Sequence, residues 1–403
     1  MTLLKEKLIS PNRKNIRPLI KWTGGKYNEF VKFSGYLPSF EKYFEPFFGG
    51  GGVFFALQPR GKVLLNDKSE DLIKFYRLLR SSLFEKELEA YADAWEEAGV
   101  LSKDLKPNLL QLYKAFFSGS ITDASLMENV KNCITKQVQA HNYLLFSDSF
   151  IIFPLHFFEE LANSVFDKCK RLQQIFLKEG KRFNDAQLFD HIETGIKSGV
   201  YMFLRRLTNQ QFSGLIQMKQ EKAVANWYFV REFCYASMFR YNNKGEFNIP
   251  YGGIAYNKKN FRQKVDNIFS KSVQLLFNNT TFYNLDFADF FEVTKPGKKD
   301  FIFLDPPYDS EFSEYDQNIF GKQDQLRLRD VLLASPAKWM LVIKETEYIR
   351  TLYTSGKCRF IEFDKTYTYN VRGRNNRETK HLIIINYEHK EQNLNKQISL
   401  FPI

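Results

Sequence analysis

The chain has 403 residues, 44% of them hydrophobic, which is enough apolar material for one large or two ordinary folded domains. Its formal net charge of +12 and its sequence pI near 9.2 favour a polyanionic partner. The four cysteines lack CxxC pairing, the five histidines lack metal-ligand spacing, and no signal peptide or apolar run of about 18 residues is present. The sequence therefore predicts a cytoplasmic protein with no disulfide framework and no metal site.

The first element is an apolar-to-glycine turn at residues 20–26, which carries Trp22 and Lys26 on either side of Gly24-Gly25. The indole of Trp22 could cover a flat bound group, and the ammonium group of Lys26 could meet a carboxylate. A capped turn with a half-buried tryptophan explains the same residues equally well.

A strand, a glycine turn and a helix start follow. Residues 42–48 are predicted to form a strand, Gly49-Gly50-Gly51-Gly52 a turn that a ligand can approach closely, and residues 53–57 the start of a helix. The spacing is not GxGxxG, which disfavours a pyrophosphate clamp for NAD. Residues 63–67 predict a second strand ending in Asp67, an acid that could hold ribose hydroxyls. The alternative is an ordinary glycine turn followed by a surface acid.

Residues 81–264 differ from the rest of the chain. They are rich in Phe, Tyr, Lys and Leu, and residues 83–95 and 109–117 show helical periodicity. Within this stretch, residues 239–252 alternate polar and apolar side chains around Asn243-Lys244-Gly245, which predicts a β-hairpin. Arg and Asn side chains on a hairpin can read base edges, and Lys can hold phosphates. An ordinary exposed hairpin is the alternative.

Asp305-Pro306-Pro307-Tyr308 follows the apolar run 301–304, which predicts a buried strand. Two successive prolines cannot continue a sheet, so they fix a rigid turn that presents one carboxylate, backbone carbonyls and an aromatic face. This combination suits the exocyclic amine of a planar base: Asp305 and the Pro306 carbonyl accept its two protons, and Tyr308 stacks on the ring. A strand-ending turn with a capping acid is the alternative.

The C-terminal part of the chain predicts the remainder of a buried mixed sheet. Residues 326–333 predict a helix and residues 339–343, 360–363 and 382–385 predict strands, the last two able to pair as an antiparallel edge. Between those two strands, residues 367–377 form a basic, aromatic loop that could grip phosphates. A solvated basic loop is the alternative.

Five segments, KWTGGK, EPFFGGGG, LLNDKSEDL, YNNKGEFNIPYG and FLDPPY, occur in this order and together resemble the Dam-like (D12 class, alpha-type) DNA adenine-N6 methyltransferases. The resemblance covers residues 18–80 and 238–388. It implies an α/β fold with a Rossmann-like S-adenosylmethionine-dependent sheet and an inserted, mainly helical target-recognition domain that carries the hairpin. The implied domains are 1–80 with 265–388 for catalysis, 81–264 for target recognition, and 389–403 as a polar tail.

The resemblance also implies roles for individual residues. The positions that match cofactor contacts are Trp22, Lys26, Phe47, Gly49, Gly51, Asp67, Asp286, Phe287 and Asp305. The positions that match the catalytic motif are Asp305, Pro306, Pro307 and Tyr308. The candidates for DNA contact are Tyr235, Arg240, Asn242, Lys244, Arg372 and Arg374.

The recognition segment departs from the family pattern. Residues 204–214 also resemble a family segment that adjoins the hairpin in shorter relatives, whereas here about 25 residues separate the two. Either Tyr235 or Phe212 could therefore supply an aromatic side chain that inserts into the duplex. A second departure is Lys344-Glu345, which stands where many relatives have Ser-Asn.

The resemblance implies double-stranded DNA as substrate and GATC as the leading guess for its site. The alternatives are an RNA adenine-N6 methyltransferase, a catalytically silent DNA-binding homologue and, less favoured, a cytosine-N4 enzyme. A cognate restriction endonuclease is a possible partner. The tail residues Gln397, Leu400 and Phe401 resemble peptides that bind the bacterial sliding clamp, although the tail could instead pack on its own domain.

Overall fold

The computed structural model describes residues 15–147, 150–238, 240–307, 320–354, 358–366 and 378–389. Six predicted site residues lie outside these ranges, and the predictions about them stay predictions: Tyr308, Arg372, Arg374, Gln397, Leu400 and Phe401. Up to Arg77 and from Ser270 onward, the described residues form one compact unit, and Leu78–Phe269 form a second. Within the described part of the chain, no helix has both the length and the apolar character needed to cross a bilayer.

The first unit is built on a seven-stranded mixed sheet. Its strands are β1 (Lys42–Glu45), β2 (Lys62–Asn66), β3 (Thr280–Tyr283), β4 (Phe301–Leu304), β5 (Lys338–Lys344), β6 (Arg359–Thr366) and β7 (Glu378–Ile385). Their order is β3-β2-β1-β4-β5-β7-β6. Strands β1 to β5 are parallel, and β7 runs antiparallel to both β5 and β6. The predicted α/β class, the mixed sheet and the antiparallel pair near the C-terminus are confirmed.

Helices surround this sheet and make up the second unit. They are α1 (Phe30–Phe33), α2 (Gly52–Leu57), α3 (Glu70–Leu78), α4 (Ser82–Phe117), α5 (Asp123–Ala140), α6 (Pro154–Glu179), α7 (Asp185–Phe212), α8 (Gln220–Phe233), α9 (Ile254–Asn257), α10 (Phe261–Phe269), α11 (Lys271–Leu276), α12 (Phe287–Thr294), α13 (Lys322–Ala334) and α14 (Glu347–Thr354). Helices α4 to α10 belong to the second unit.

The central strands are buried on both faces, as expected of parallel strands covered by helices. All four residues of β4 are buried, and its Ile302 and Leu304 pack with Trp339 and Leu341 of β5 on one side of the sheet. Burying such apolar side chains contributes about 1.5–3 kcal/mol each. This packing fixes where β4 ends, and therefore where the segment Asp305-Pro306-Pro307 begins.

Two features of the second unit differ from their sequence-based expectations. The periodic stretches 83–95 and 109–117 belong to one helix, α4, which is capped by the Ser81 hydroxyl and continues through Pro107. The compact unit also ends at Phe269, a few residues beyond the expected position 264. Helix α10 packs on α4, because Arg262 pairs with Asp93 and Glu96 and the ring of Phe269 contacts that of Phe84.

Helices α6 and α7 pack closely where two glycines of α7 face α6. An added Cβ at Gly199 would lie 2.8 Å from the Cα of Leu161, and one at Gly195 would lie 3.2 Å from the Cα of Val165. The neighbouring atoms are backbone, so relief would require the two helices to separate. In contrast, an added Cβ at Gly99 in α4 would find its nearest neighbour, the Nζ of Lys197, at 3.8 Å.

These two environments predict opposite effects of the same substitution. Gly199→Ala should lower the free energy of unfolding by about 1–3 kcal/mol, since the added methyl group overpacks a close helix contact. Gly99→Ala should raise it by about 0.5–1 kcal/mol, since alanine is the better helix former and finds room. Urea unfolding followed by circular dichroism measures both. Equal effects of the two substitutions would contradict the close packing of α6 on α7.

Candidate active site

Three predicted motifs meet at the carboxyl edge of the sheet. Strand β1 lies between β2 and β4, and all three are parallel, so the residues that follow them come out at the same edge. The chain turns outward in opposite directions from β1 and β4, which is the place where open α/β sheets bind ligands. The glycine turn follows β1, Asp67 follows β2, and Asp305 follows β4.

The glycine turn packs directly against the Trp22 turn. Gly49 and Gly51 have φ angles of +51° and +69°, a backbone conformation that residues other than glycine rarely adopt. An added Cβ at Gly49 would lie 2.9 Å from the Cδ1 atom of Trp22, and one at Gly52 would lie 2.8 Å from the backbone nitrogen of Lys26. The two segments therefore form one continuous surface, with Trp22 half-buried on it.

Asp67 fixes the position of the glycine turn. Its Oδ2 accepts a hydrogen bond from the Gly49 amide at 2.8 Å, and its Oδ1 accepts one from the Ser69 amide at 2.9 Å. The carboxylate is thus held beside the turn in a defined orientation. The same position suits the predicted contact with ribose hydroxyls, because a carboxylate offers about four acceptor sites.

Buried Asn66 joins the glycine turn to the segment that carries Asp286 and Phe287. Its Nδ2 donates to the carbonyls of Pro46 and Leu285, each at 3.0 Å, and its Oδ1 accepts from the Leu285 amide at 3.0 Å. Sequence reasoning did not assign Asn66 a role. The signal in the sequence was a polar side chain at the end of an apolar strand. A buried amide in that place needs hydrogen-bond partners, and here backbone groups supply them.

An aromatic cluster lies at this edge. The ring centroids of Phe47, Phe287 and Phe320 are 5.5–5.8 Å apart in all three pairs. The guanidinium of Arg327 lies 4.9 Å over the ring of Phe287 and pairs with Asp286 at 2.7 Å. Asp286 also caps α12 by accepting from the Ala288 amide. Phe320 and Arg327 were not predicted, since they come into place through the position of α13.

Lys26 and Asp305 form an ion pair. The Nζ of Lys26 lies 2.7 Å from the Oδ1 of Asp305 and also donates to the carbonyl of Gly24 at 2.9 Å. Only 1% of the lysine side chain is exposed, against 18% of the aspartate. Pro306 is buried, and the carbonyl of Pro307 accepts from the side chain of Gln325. The catalytic candidates Asp305, Pro306 and Pro307 are therefore held from both sides of the motif.

A second acid lies buried beside this pair. Glu45, at the end of β1, is 2% exposed, and its Oε2 has no hydrogen-bond partner among the described residues. Burial holds the pKa of Glu45 well above its usual range; interaction with the Tyr43 side chain opposes this shift, and the charge of Asp305 adds to it. The fold therefore favours the neutral form of Glu45, whereas Lys26 pairs with the carboxylate of Asp305. The signal in the sequence was an acid inside the apolar stretch 42–48.

The predicted hairpin of the second unit is a tight turn closed by one antiparallel bridge, Tyr241 to Phe247. Asn242 holds the turn: its Oδ1 accepts from the amides of Lys244 and Glu246, and its Nδ2 donates to the Glu246 carboxylate at 2.8 Å. Asn242 thus has a structural role in addition to its predicted one. Arg240 and Lys244 are exposed.

The two recognition segments that the sequence separates adjoin in space. Asn209 of α7 donates to the Phe247 carbonyl at 3.1 Å and accepts from the Phe247 amide at 2.9 Å, as a neighbouring strand would. Tyr201 and Arg205, on the same side of α7, both donate to the Ile249 carbonyl. The intervening residues therefore leave the pairing of segment 204–214 with the hairpin intact.

Both aromatic candidates for insertion are exposed. Tyr235 is 52% exposed and Phe212 is 42% exposed. Tyr235 begins a turn in which Ala236 and Ser237 both have φ angles of +53°, and its amide donates to the Pro250 carbonyl at 2.8 Å. A non-glycine residue in this region costs about 1–2 kcal/mol, so the protein holds Tyr235 outward in a strained turn.

Comparison with known proteins identifies relatives. The model of the family described as D12 class N6 adenine-specific DNA methyltransferase matches residues 22–99 and 96–369. The chain is 31% identical over 230 residues to the type II methyltransferase M.CviBI of Paramecium bursaria Chlorella virus NC1A, covering 53% of this chain and 85% of that protein. It is 21% identical over 371 residues to a DNA adenine methylase of Vibrio cholerae serotype O1, covering 90% and 94%. It is 22% identical over 343 residues to the type II methyltransferase M1.LlaDCHI of Lactococcus lactis subsp. cremoris, covering 83% of each.

The buried acid predicts a dependence of stability on pH. Because the pKa of Glu45 is raised in the folded state, the folded protein holds a proton that the unfolded chain has lost above about pH 4.3. Stability should therefore fall as the pH rises from the ordinary carboxyl range towards the raised pKa. Glu45→Gln removes this loss, and its advantage over the unsubstituted protein should grow by at most about 1.4 kcal/mol per pH unit.

Urea unfolding between pH 4 and pH 9 measures this difference. Glu41→Gln, at an exposed acid just before the same strand, is the control and should leave the pH slope unchanged. A Glu45→Gln slope identical to that of the unsubstituted protein would show that Glu45 is ionised in the fold.

Proposed function

The chain belongs to the D12 class of N6 adenine-specific DNA methyltransferases, and we propose that it methylates the N6 amine of an adenine turned out of a short duplex site. S-adenosylmethionine is the proposed methyl donor. The observation that carries the proposal is the Lys26–Asp305 pair at the end of β4, next to the glycine turn.

The pair prepares Asp305 to hold an amine. Lys26 engages one carboxylate oxygen, which fixes the plane of the carboxylate at the edge of the sheet. Asp305 then accepts a hydrogen bond from one N–H group of the adenine amine, and the Pro306 carbonyl accepts one from the other, while Tyr308 stacks on the base. Holding both protons in this way directs the nitrogen lone pair to the methyl group, so catalysis comes mainly from alignment and electrostatics.

The raised pKa of Glu45 supports this arrangement. Positive charge develops on the amine nitrogen during transfer, and the ionised Asp305 is placed to stabilise it. If Glu45 were also ionised, two neighbouring carboxylates would share the charge of Lys26. A neutral Glu45 leaves Asp305 as the charged acceptor.

The residues at the carboxyl edge fit the cofactor. The glycine turn leaves no room for side chains, which allows close approach of a ligand to its backbone. Asp67 would meet ribose hydroxyls, and Phe47 and Phe287 would pack on the adenine ring beside Asp286. Trp22 and Lys26 would close the methionyl end. When bound, S-adenosylmethionine supplies an electrophilic methyl group.

Direct transfer, without a covalent enzyme intermediate, agrees with the raised pKa values of the cysteine thiols. Burial raises the pKa of each of the four thiols, that of Cys234 to about 11. A thiol with a raised pKa is a poor nucleophile near pH 7.

We propose that the second unit recognises DNA. Arg240 is the best candidate for a base contact, with Lys244 on phosphates and Tyr235 or Phe212 inserted beside the extruded base. Arg372 and Arg374 are proposed to grip the backbone near the active site. The relatives include both type II methyltransferases and DNA adenine methylases, so a restriction endonuclease partner and a solitary role are both proposals. The proposed location of the protein is the cytoplasm, in association with the nucleoid.

The activity and the site can be established in one experiment. Expression in a methylation-free host, followed by single-molecule sequencing, should reveal N6-methyladenine in one short motif, for which GATC is the leading guess. Asp305→Asn should lower methylation at least about 100-fold, because it removes the charged acceptor. Asp330→Asn, at an exposed acid on α13, is the control and should methylate fully.

Each outcome separates the candidate functions. An unmodified genome combined with methylated host RNA would favour the RNA enzyme. Folded protein that modifies neither would favour the silent DNA-binding homologue, and full methylation by Asp305→Asn would overturn the proposed chemistry.

A contact with the bacterial sliding clamp through Gln397, Leu400 and Phe401 is a separate proposal. Leu400 and Phe401 would fill a hydrophobic pocket, contributing a few kcal/mol, and Gln397 would set the register. Leu400→Ala with Phe401→Ala should abolish recovery of purified clamp in a pull-down, whereas Asn393→Ala with Asn395→Ala should not. Unchanged recovery with the first pair would refute the contact.

A further inference from the structure

The positive charge of the second unit is concentrated at one end of one helix pair. Residues 78–269 contain 25 lysines and arginines against 21 aspartates and glutamates, a net charge of +4. Residues 167–182, from α6 and the turn after it, contain six lysines and arginines against two aspartates and glutamates, which also gives a net charge of +4. The rest of the unit is therefore balanced. We call Lys168, Arg171, Lys178, Lys181 and Arg182 the basic end.

Three side chains of the basic end, those of Lys168, Arg171 and Lys181, act on His191. The Nζ of Lys181 lies 5.6 Å from the ring centroid of Phe183, and that ring lies 5.6 Å from the ring of His191. After burial, the charges of Lys168, Lys181 and Arg171 are what lower the pKa of His191, and Asp190 opposes them. Two cations of α6 and one from the connection after it thus act on the same side chain of α7, that of His191.

These cations differ from the other lysines nearby. Lys114 pairs with Asp185 and Lys170 pairs with Asp123. Among the described residues, Lys168, Arg171 and Lys181 have no ion-pair partner within 4.0 Å. The carboxylates close to them in sequence are Asp167, Glu179, Asp185 and Asp190, of which Asp185 already pairs with Lys114, so the cations remain in excess. A surface with excess cations binds polyanions, and its affinity depends on salt.

Helix α7 sets the spacing between the basic end and the recognition hairpin. Asn209 holds the hairpin, and His191 lies at the basic end. The two positions are eighteen residues apart on one helix, which is five full turns, so they point to the same side about 27 Å apart. One turn of B-DNA is about 34 Å. A duplex read by the hairpin can therefore present its backbone to the basic end roughly one turn away.

We propose that the basic end is an accessory surface that binds backbone phosphates of the duplex about one helical turn from the methylated site. The inference rests on the proposed function, since it takes the hairpin to be the part that reads the site. The contact adds affinity and lengthens the footprint, and it carries no sequence information because phosphates are the same at every position. Methylation of short duplexes does not need it.

The test compares two duplexes that share one centred site, 12 bp and 36 bp long, by fluorescence anisotropy over a range of salt concentrations. The unsubstituted protein should bind the longer duplex more tightly and with a steeper salt dependence. In Arg171→Gln with Lys181→Gln, affinity for the longer duplex should fall about tenfold and its salt slope by about 2, one for each lost phosphate contact. Affinity for the 12-bp duplex should stay unchanged.

Lys62→Gln with Lys299→Gln is the control for overall charge. It removes two positive charges at the amino ends of β2 and β4, opposite to the edge that carries Asp305. The control should keep the full gain from duplex length. The proposal is overturned if Arg171→Gln with Lys181→Gln keeps that gain, or if the control loses it equally.

The methylation rate on the 12-bp duplex distinguishes this inference from the proposed function. Normal methylation of the short duplex by Arg171→Gln with Lys181→Gln, combined with loss of the length gain, supports the accessory surface. If the unsubstituted protein methylates neither duplex, the proposed function itself has failed.

Discussion

The ion pair between Lys26 and Asp305 joins positions 279 residues apart and determines how the active site is assembled. A buried ion pair pays a large desolvation cost, and loss of one partner typically destabilises a protein by about 3–5 kcal/mol. The pair can form only if the Trp22 turn lies against the glycine turn, and only glycine at positions 49 and 52 permits that contact. The proposed catalytic acid and the proposed cofactor site are therefore parts of one packing arrangement.

The charge balance of the site follows from the same burial. Glu45 is the last residue of β1 and Asp305 follows β4. These strands are parallel neighbours, so both acids lie at the same edge of the sheet, where Lys26 is the basic residue that pairs with Asp305. Burial favours the neutral form of Glu45, whereas the carboxylate of Asp305 pairs with Lys26. The two acids thereby divide the roles without competing for the lysine. An ionised Glu45 would cost the fold stability and would weaken Asp305 as an acceptor.

Much of the first unit could be predicted from the sequence, because the signals there are local. Apolar runs placed the strands, glycines and prolines placed the turns, and the parallel order placed Asp67 and Asp305 at one edge. Glu45, Arg327 and Asn209 could not be assigned in this way. Arg327 reaches Asp286 only through the rotation of α13, and Asn209 reaches Phe247 across 38 residues. Nor could the sequence predict that two periodic stretches form the single helix α4, since a proline such as Pro107 normally ends a helix.

The hairpin is held through its backbone, which leaves the side chains proposed to contact DNA out of the contacts that position it. Tyr201, Arg205 and Asn209 repeat every four residues along one side of α7, and all three bond to backbone atoms of the hairpin. Asn242 likewise closes the turn through backbone amides. None of these bonds involves the side chains of Arg240 or Lys244, so those residues can change without disturbing the geometry that presents them. Backbone contacts thus fix where the hairpin lies, and they leave the exposed side chains of Arg240 and Lys244 available for the proposed contacts with DNA.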